Sequence, residues 1–119
     1  MRNFREYEIW QNAFQLTVKI YPIIHLFPES ERFGLANQLK RALISISSNI
    51  AEGCSRHSET DFARMLEIAL GSAYEAESQL LLAQTLKFVT LDNDNTVFEE
   101  IHQLQKQISA LIQKIRNKK

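Results

Sequence analysis

Between Gly34 and Arg56 the stretch GLANQLKRALISISSNIAEGCSR sets Ala36, Leu39, Leu43, Ile46 and Ile50 at alternating steps of three and four. That spacing lines one face of an α-helix with apolar side chains. Gln38, Arg41, Ser45, Ser48 and Glu52 keep the same rhythm in a second row that is wholly polar. Gly53 is read as the end of this helix, where a left-handed residue is least costly.

Three further segments carry comparable patterns. Residues 8–26 hold two adjacent apolar stripes, Ile9, Ala13, Leu16, Ile20, Ile23, Phe27 and Trp10, Phe14, Thr17, Tyr21, Ile24. A helix that only covers its own core normally needs one stripe, so the pair predicts contact with a neighbouring chain as well. Pro22 within the pattern should kink or loosen this helix, and Pro28 closes it. Residues 1–7 read as extended or frayed. In the turn that follows, Ser30 is a candidate N-cap for a second helix over 31–53, with Glu29 and Glu31 at its positive end.

Ser58 followed by Asp61 resembles the start of a capping box opening a third helix over 59–89, about 45 Å long. Its core row is Phe62, Leu66, Ala69, Ala73, Ala76, Leu80, Ala83. Gly71 within it costs about 1 kcal/mol against alanine, so a close helix contact is expected there. Leu80-Leu81-Leu82-Ala83 is apolar on every side, which calls for cover on every side, and in a small bundle that means a second chain. The LDNDN turn offers Asp92 or Asp94 as the cap of a last helix over 95–116, with the row Val97, Ile101, Leu104, Ile108, Leu111, Ile115.

The expected fold is therefore all-α, one domain over 1–119, an antiparallel up-down-up-down four-helix bundle that oligomerises. Three glycines and two prolines leave little room for the turns of an all-β chain, and 45% hydrophobic content with 24% charge argues against disorder. Fourteen basic residues balance fourteen acidic ones, so any contact with nucleic acid has to use a local patch. A single cysteine, no long apolar run and no signal-peptide pattern suggest a cytoplasmic protein without a membrane partner.

Catalytic chemistry is poorly represented. Glu99 and His102 form one Glu-x-x-His, but a di-iron bundle needs a second copy and two more inward carboxylates. Cys54 and His57 supply two zinc ligands at most, and no third group marks them as a nucleophile and base. With no phosphate-binding glycine loop or serine elbow, no enzyme activity, cofactor or metal is expected. Lys40, Arg41, Arg56 and Arg64, with His57 and a basic tail, are candidates either for surface ion pairs or for phosphate contact. Gln38, Ser45, Asn49 and Glu52 read as polar groups that set register between subunits, or as the lining of a groove. Trp10, Phe14, Tyr21 and Leu81 are the apolar candidates for self-association.

Trp10-Gln11-x-Ala13, Phe27-Pro28-x-x-Glu31, Gln38-Leu39-x-Arg41-Ala42, Ser48-Asn49-Ile50-Ala51-Glu52-Gly53 and Gly71-Ser72 through Glu77-Ser78-Gln79-Leu80 resemble the four-helix-bundle proteins of the 23S rRNA intervening-sequence type. The resemblance runs from residue 10 to residue 91, and Asn-Ile-Ala-Glu-Gly is its most specific part. It implies a cytoplasmic bacterial bundle assembling as a ring-shaped homopentamer, with no catalytic activity attached. A related branch, the accessory proteins of diversity-generating retroelements, binds nucleic acid and a reverse transcriptase. Two departures stand out: Ser47 where relatives often carry proline, and balanced charge where the retroelement branch is strongly basic. The expected role is thus a non-enzymatic oligomer that associates with RNA. The first alternative is a scaffold for a protein such as a reverse transcriptase, and the remote one a metal-dependent enzyme.

Overall fold

The computed structural model describes residues 2–92 and 95–118. Among these are four helices and no strand: α1 (Glu8–Ile24), α2 (Leu35–Cys54), α3 (Glu59–Thr85) and α4 (Val97–Arg116), with 3-10 turns at Phe4–Glu6 and Glu29–Glu31. α1 and α3 each touch α2 and α4, while neither diagonal pair meets. This is an up-down-up-down four-helix bundle measuring 49 × 28 × 20 Å. No described helix is long and apolar enough to cross a membrane.

The core follows the apolar rows closely. Leu39, Leu43, Ile46 and Ile50 of α2 are fully buried against Phe62, Leu66, Ala69, Ala73, Ala76, Leu80 and Ala83 of α3. α1 adds Ile9, Ala13, Leu16, Ile20 and Ile24, and α4 adds Val97, Ile101, Leu104, Ile108 and Ile112. Each large aliphatic side chain buried in this way stabilises the bundle by about 1.5–3 kcal/mol. In α1, Ile24 rather than Ile23 completes the core row, because Ile23 is only partly buried.

The two helical glycines do different work from what local rules suggest. Gly53 lies inside α2, buried, and no described glycine has a positive φ. A Cβ there would stand 2.9 Å from Met65 Cβ and 3.2 Å from Phe62 Cδ1, so the missing side chain lets α2 and α3 close together. Gly71, by contrast, is exposed and has nothing within 4 Å of the Cβ position, so no close contact in this chain compensates it. Gly71→Ala should therefore raise stability by about 1 kcal/mol. Gly53→Ala should lower it by about 1 kcal/mol, since overpacking of about 1–3 kcal/mol exceeds the gain in propensity. Thermal midpoints shifting in opposite directions check the pair.

Helix ends are where sequence and structure part. α1 stops at Ile24, two residues after Pro22, and α3 at Thr85, where Lys87 turns the chain with a φ of 63°. α2 begins at Leu35 rather than near residue 31, because Glu29–Glu31 is taken up by a 3-10 turn. Ser30 lies in that turn and caps nothing; Glu31 Oε1 instead accepts from the Leu35 amide at 3.2 Å. Ser58 does cap α3, its Oγ accepting from Asp61 N at 3.0 Å. For α4 the capping oxygen is Asn95 Oδ1, 2.9 Å from Val97 N, and not Asp92; Asp94 lies outside the described residues.

The N-terminal segment is anchored, not frayed. Arg2 donates to the Arg56 carbonyl at 2.7 Å, pairs with Glu59 and lies 4.2 Å above the Phe62 ring. It thereby ties the start of the chain to the α2–α3 loop. Only tertiary contact could reveal this, because Arg2 and Phe62 are sixty residues apart.

Candidate interaction surface

The four basic candidates do not converge. Lys40 and Arg41 sit in the first half of α2, and Arg56 follows its end, about 22 Å further along at 1.5 Å per residue. Arg56 Nη2 lies 2.6 Å from Glu52 Oε2, and Arg64 Nη1 3.9 Å from Asp61 Oδ1, so both cations have local counter-charges. Lys40 Nζ stands 5.4 Å from the Tyr21 ring centre. Arg41 is exposed and forms no ion pair among the described residues. It shares a depression with Gln38, Ala42, Ser45 and Glu75.

Much of the polar row is occupied within the chain itself. Ser45 Oγ lies 2.8 Å from Ser72 Oγ on α3, and Asn49 Nδ2 donates to Ser45 O and Oγ, both at 2.8 Å. Gln79 Nε2 reaches Gln38 Oε1 at 3.4 Å, leaving Gln79 Oε1 buried without a donor. Ser45 is tolerated inside α2 because its contact with Ser72 ties the helix to α3, whereas Asn49 bonds back to Ser45 on its own helix. Ser48 remains exposed on the outer side.

The apolar candidates lie on the surface. Trp10 stacks on Phe14 with centroids 4.9 Å apart, and Phe4 meets Trp10 edge-on at 4.9 Å. Phe14 is 45% exposed and Val18 56%. Tyr21 is half-buried under Lys40. In the run Leu80–Ala83, Leu80 and Ala83 are fully buried, whereas Leu81 and Leu82 stay about half exposed. A lone chain thus leaves two sides of that run uncovered. Ile44, Ile68, Tyr74 and Leu86 are exposed as well.

One polar cluster escaped the sequence reading. Gln105 is buried on α4, and its Nε2 donates to Glu77 Oε1 at 2.9 Å; His102 Nε2 lies 2.6 Å from Glu77 Oε2. His102 therefore turns to α3 and not to its own-helix neighbour Glu99. The hydrogen bonds from Gln105 and then His102 hold the Glu77 carboxyl below the usual glutamate range, outweighing its burial. A carboxylate depressed in the folded state stabilises above its unfolded pKa and loses that contribution as pH falls through the folded value. Acid titration of the unfolding free energy should accordingly be shallower for Glu77→Gln than for the parent chain below the ordinary glutamate range. Equal slopes would show that Glu77 is not linked to folding.

Among the described residues no three His, Cys, Asp or Glu side chains gather in a way that could hold a metal ion. Cys54 is buried, and burial raises its thiol pKa, which disfavours the thiolate.

A family model described as 23S rRNA-intervening sequence protein matches residues 5–110. Among solved structures, a protein of unknown function of the S23 ribosomal protein family from Bacteroides thetaiotaomicron aligns with a TM-score of 0.79. The two chains are 24% identical, and the alignment covers 88% of this chain and 95% of that one. At that identity the likeness is one of fold. No curated protein matches the chain.

Proposed function

Because the chain belongs to the 23S rRNA-intervening sequence protein family, we propose that it is a cytoplasmic, non-enzymatic, self-associating bundle with an RNA-associated role. Its assembly is the homopentamer that the resemblance implies. The observation that carries self-association is surface area. A folded monomer of 13.8 kDa should expose about 6,600 Å², and this chain exposes 7454 Å². The chain thus exposes about 800 Å² more than a monomer of its mass should. Elongation supplies a share of it; the half-exposed Phe14, Val18, Ile44, Ile68, Leu81 and Leu82 within it supply the reason for a partner.

Phosphate contact rests on Arg41 with Lys40 beside it, since Arg56 and Arg64 already have carboxylate partners. A ring multiplies the Arg41 guanidinium, which forms no ion pair among the described residues, into several copies, so weak contacts add by avidity. Titration with single-stranded RNA at increasing salt tests this. Affinity should fall steeply with salt, and Arg41→Ala should weaken binding and flatten the slope. A salt-independent response, or no binding at low salt, overturns the RNA role. A protein that co-purifies with the chain at moderate salt, as a reverse transcriptase would, replaces it with the scaffold reading.

A further inference from the structure

Among the described residues the most exposed large apolar side chain is Phe33, at 85%. It does not stand on a loose loop. Between α1 and α2 the backbone turns through Glu31 N to Pro28 O at 2.9 Å, Arg32 N to Glu29 O at 3.1 Å and Gly34 N to Glu31 O at 3.0 Å. The Glu31 carboxylate also accepts from the Leu35 amide at 3.2 Å, which ties the turn to the first residue of α2. An aromatic ring carried on a backbone fixed in this way meets a ligand with little further ordering cost.

Cations surround the ring. The Arg32 guanidinium lies 5.3 Å from its centre. Arg32 also lines, with His25 and Lys40, a depression of about 290 Å³ whose apolar walls include Ile24 and Phe27. The two acids of this corner are already engaged, since Glu29 Oε1 lies 3.6 Å from Arg32 Nη1 and Glu31 is held by the Leu35 amide. Lys40 forms no ion pair among the described residues. An exposed pair such as Glu29–Arg32 contributes little, so the guanidinium remains available to a stronger, bidentate acceptor such as phosphate. Leu26, 69% exposed in the same connection, adds apolar surface that a protein could cover. The uncompensated charge of Lys40 favours a polyanion instead.

We propose that a base of single-stranded RNA stacks on Phe33 while the phosphates flanking it contact Arg32 and Lys40. A solvent-facing ring beside cations combines the two attractions that unpaired strands use, base stacking and backbone charge. A duplex keeps its bases stacked on one another and cannot use the ring. The proposal rests on the RNA-associated reading and says where the strand lies: at the α1–α2 corner, with Lys40 leading on to Arg41.

Anisotropy titrations with a labelled oligouridine, and with an abasic strand of the same length, test it. Phe33 is exposed, so Phe33→Ala, Phe33→Leu and Phe33→Trp leave the bundle folded. Phe33→Ala should weaken oligouridine binding about five- to a hundredfold at an unchanged salt slope, because stacking releases no counterions. It should also remove the parent's preference for oligouridine over the abasic strand. Phe33→Trp should restore both affinity and preference, and Phe33→Leu neither. Lys40→Ala should instead lower the salt slope by about one. Parent-like affinity in Phe33→Ala overturns the proposal and leaves the RNA role standing. Parent-like affinity in Phe33→Leu shows an apolar contact without stacking and overturns it equally. Absence of oligouridine binding by the parent at low salt overturns the proposal together with the RNA role.

Discussion

Phe62→Ala should lower the unfolding free energy by about 3–5 kcal/mol, the range for removing a buried aromatic side chain. Phe62 is 2% exposed and stands where three separate segments meet. Tyr7 approaches it edge-on at 5.7 Å, Arg2 lies over its face, and the ring edge lies 3.2 Å from where a Cβ on Gly53 would stand. Removing the ring opens a cavity between α2 and α3 and takes away the platform that holds the N-terminal segment. Total stabilities of small domains are about 5–15 kcal/mol, so this change removes a large fraction. Urea unfolding monitored by circular dichroism measures it as a lower midpoint at unchanged slope. A loss below about 1 kcal/mol would mean that this end of the bundle is held chiefly by something other than Phe62.

Phe14→Glu should abolish assembly while leaving the fold in place. In a lone chain such a change lowers stability by about 1 kcal/mol, chiefly the lost stacking on Trp10, which leaves the bundle folded. Buried between copies, the same carboxylate is desolvated without a partner and replaces an aromatic anchor, a combination that costs at least about 2 kcal/mol per interface. That is roughly thirtyfold in affinity at every contact of a ring. Light scattering should return 13.8 kDa for the variant at concentrations where the parent remains associated, with the helical circular dichroism unchanged. An unaltered mass would exclude the α1 face from the interface.

The period of apolar residues was enough to read four helices, and for a physical reason. Leu39, Leu43, Ile46 and Ile50, or Phe62 through Ala83, can be hidden only if the chain turns with about 3.6 residues per turn. Ser58 as the cap of α3 was equally legible, because a cap is a contact between residues three apart. The glycines were not. Local rules make Gly53 a helix terminator and Gly71 a point of close approach, whereas packing made Gly53 the close approach and left Gly71 open. The cluster of Glu77, His102 and Gln105 was hidden for the same reason, since a glutamine in an otherwise polar heptad position looks like surface until a second helix covers it.

Arg56 and Arg64 pair with Glu52 and Asp61, four and three residues before them, a spacing already visible along the chain, whereas Arg41 forms no ion pair among the described residues. By itself, then, the amino-acid order determined which faces of which segments must be hidden, since hydrophobic periodicity acts over a single turn. Only the tertiary structure decided which apolar side chains remain uncovered after the bundle closes, and which polar groups, such as Glu77, His102 and Gln105, meet across helices. Those outcomes depend on how helices distant in sequence divide a limited interior between them.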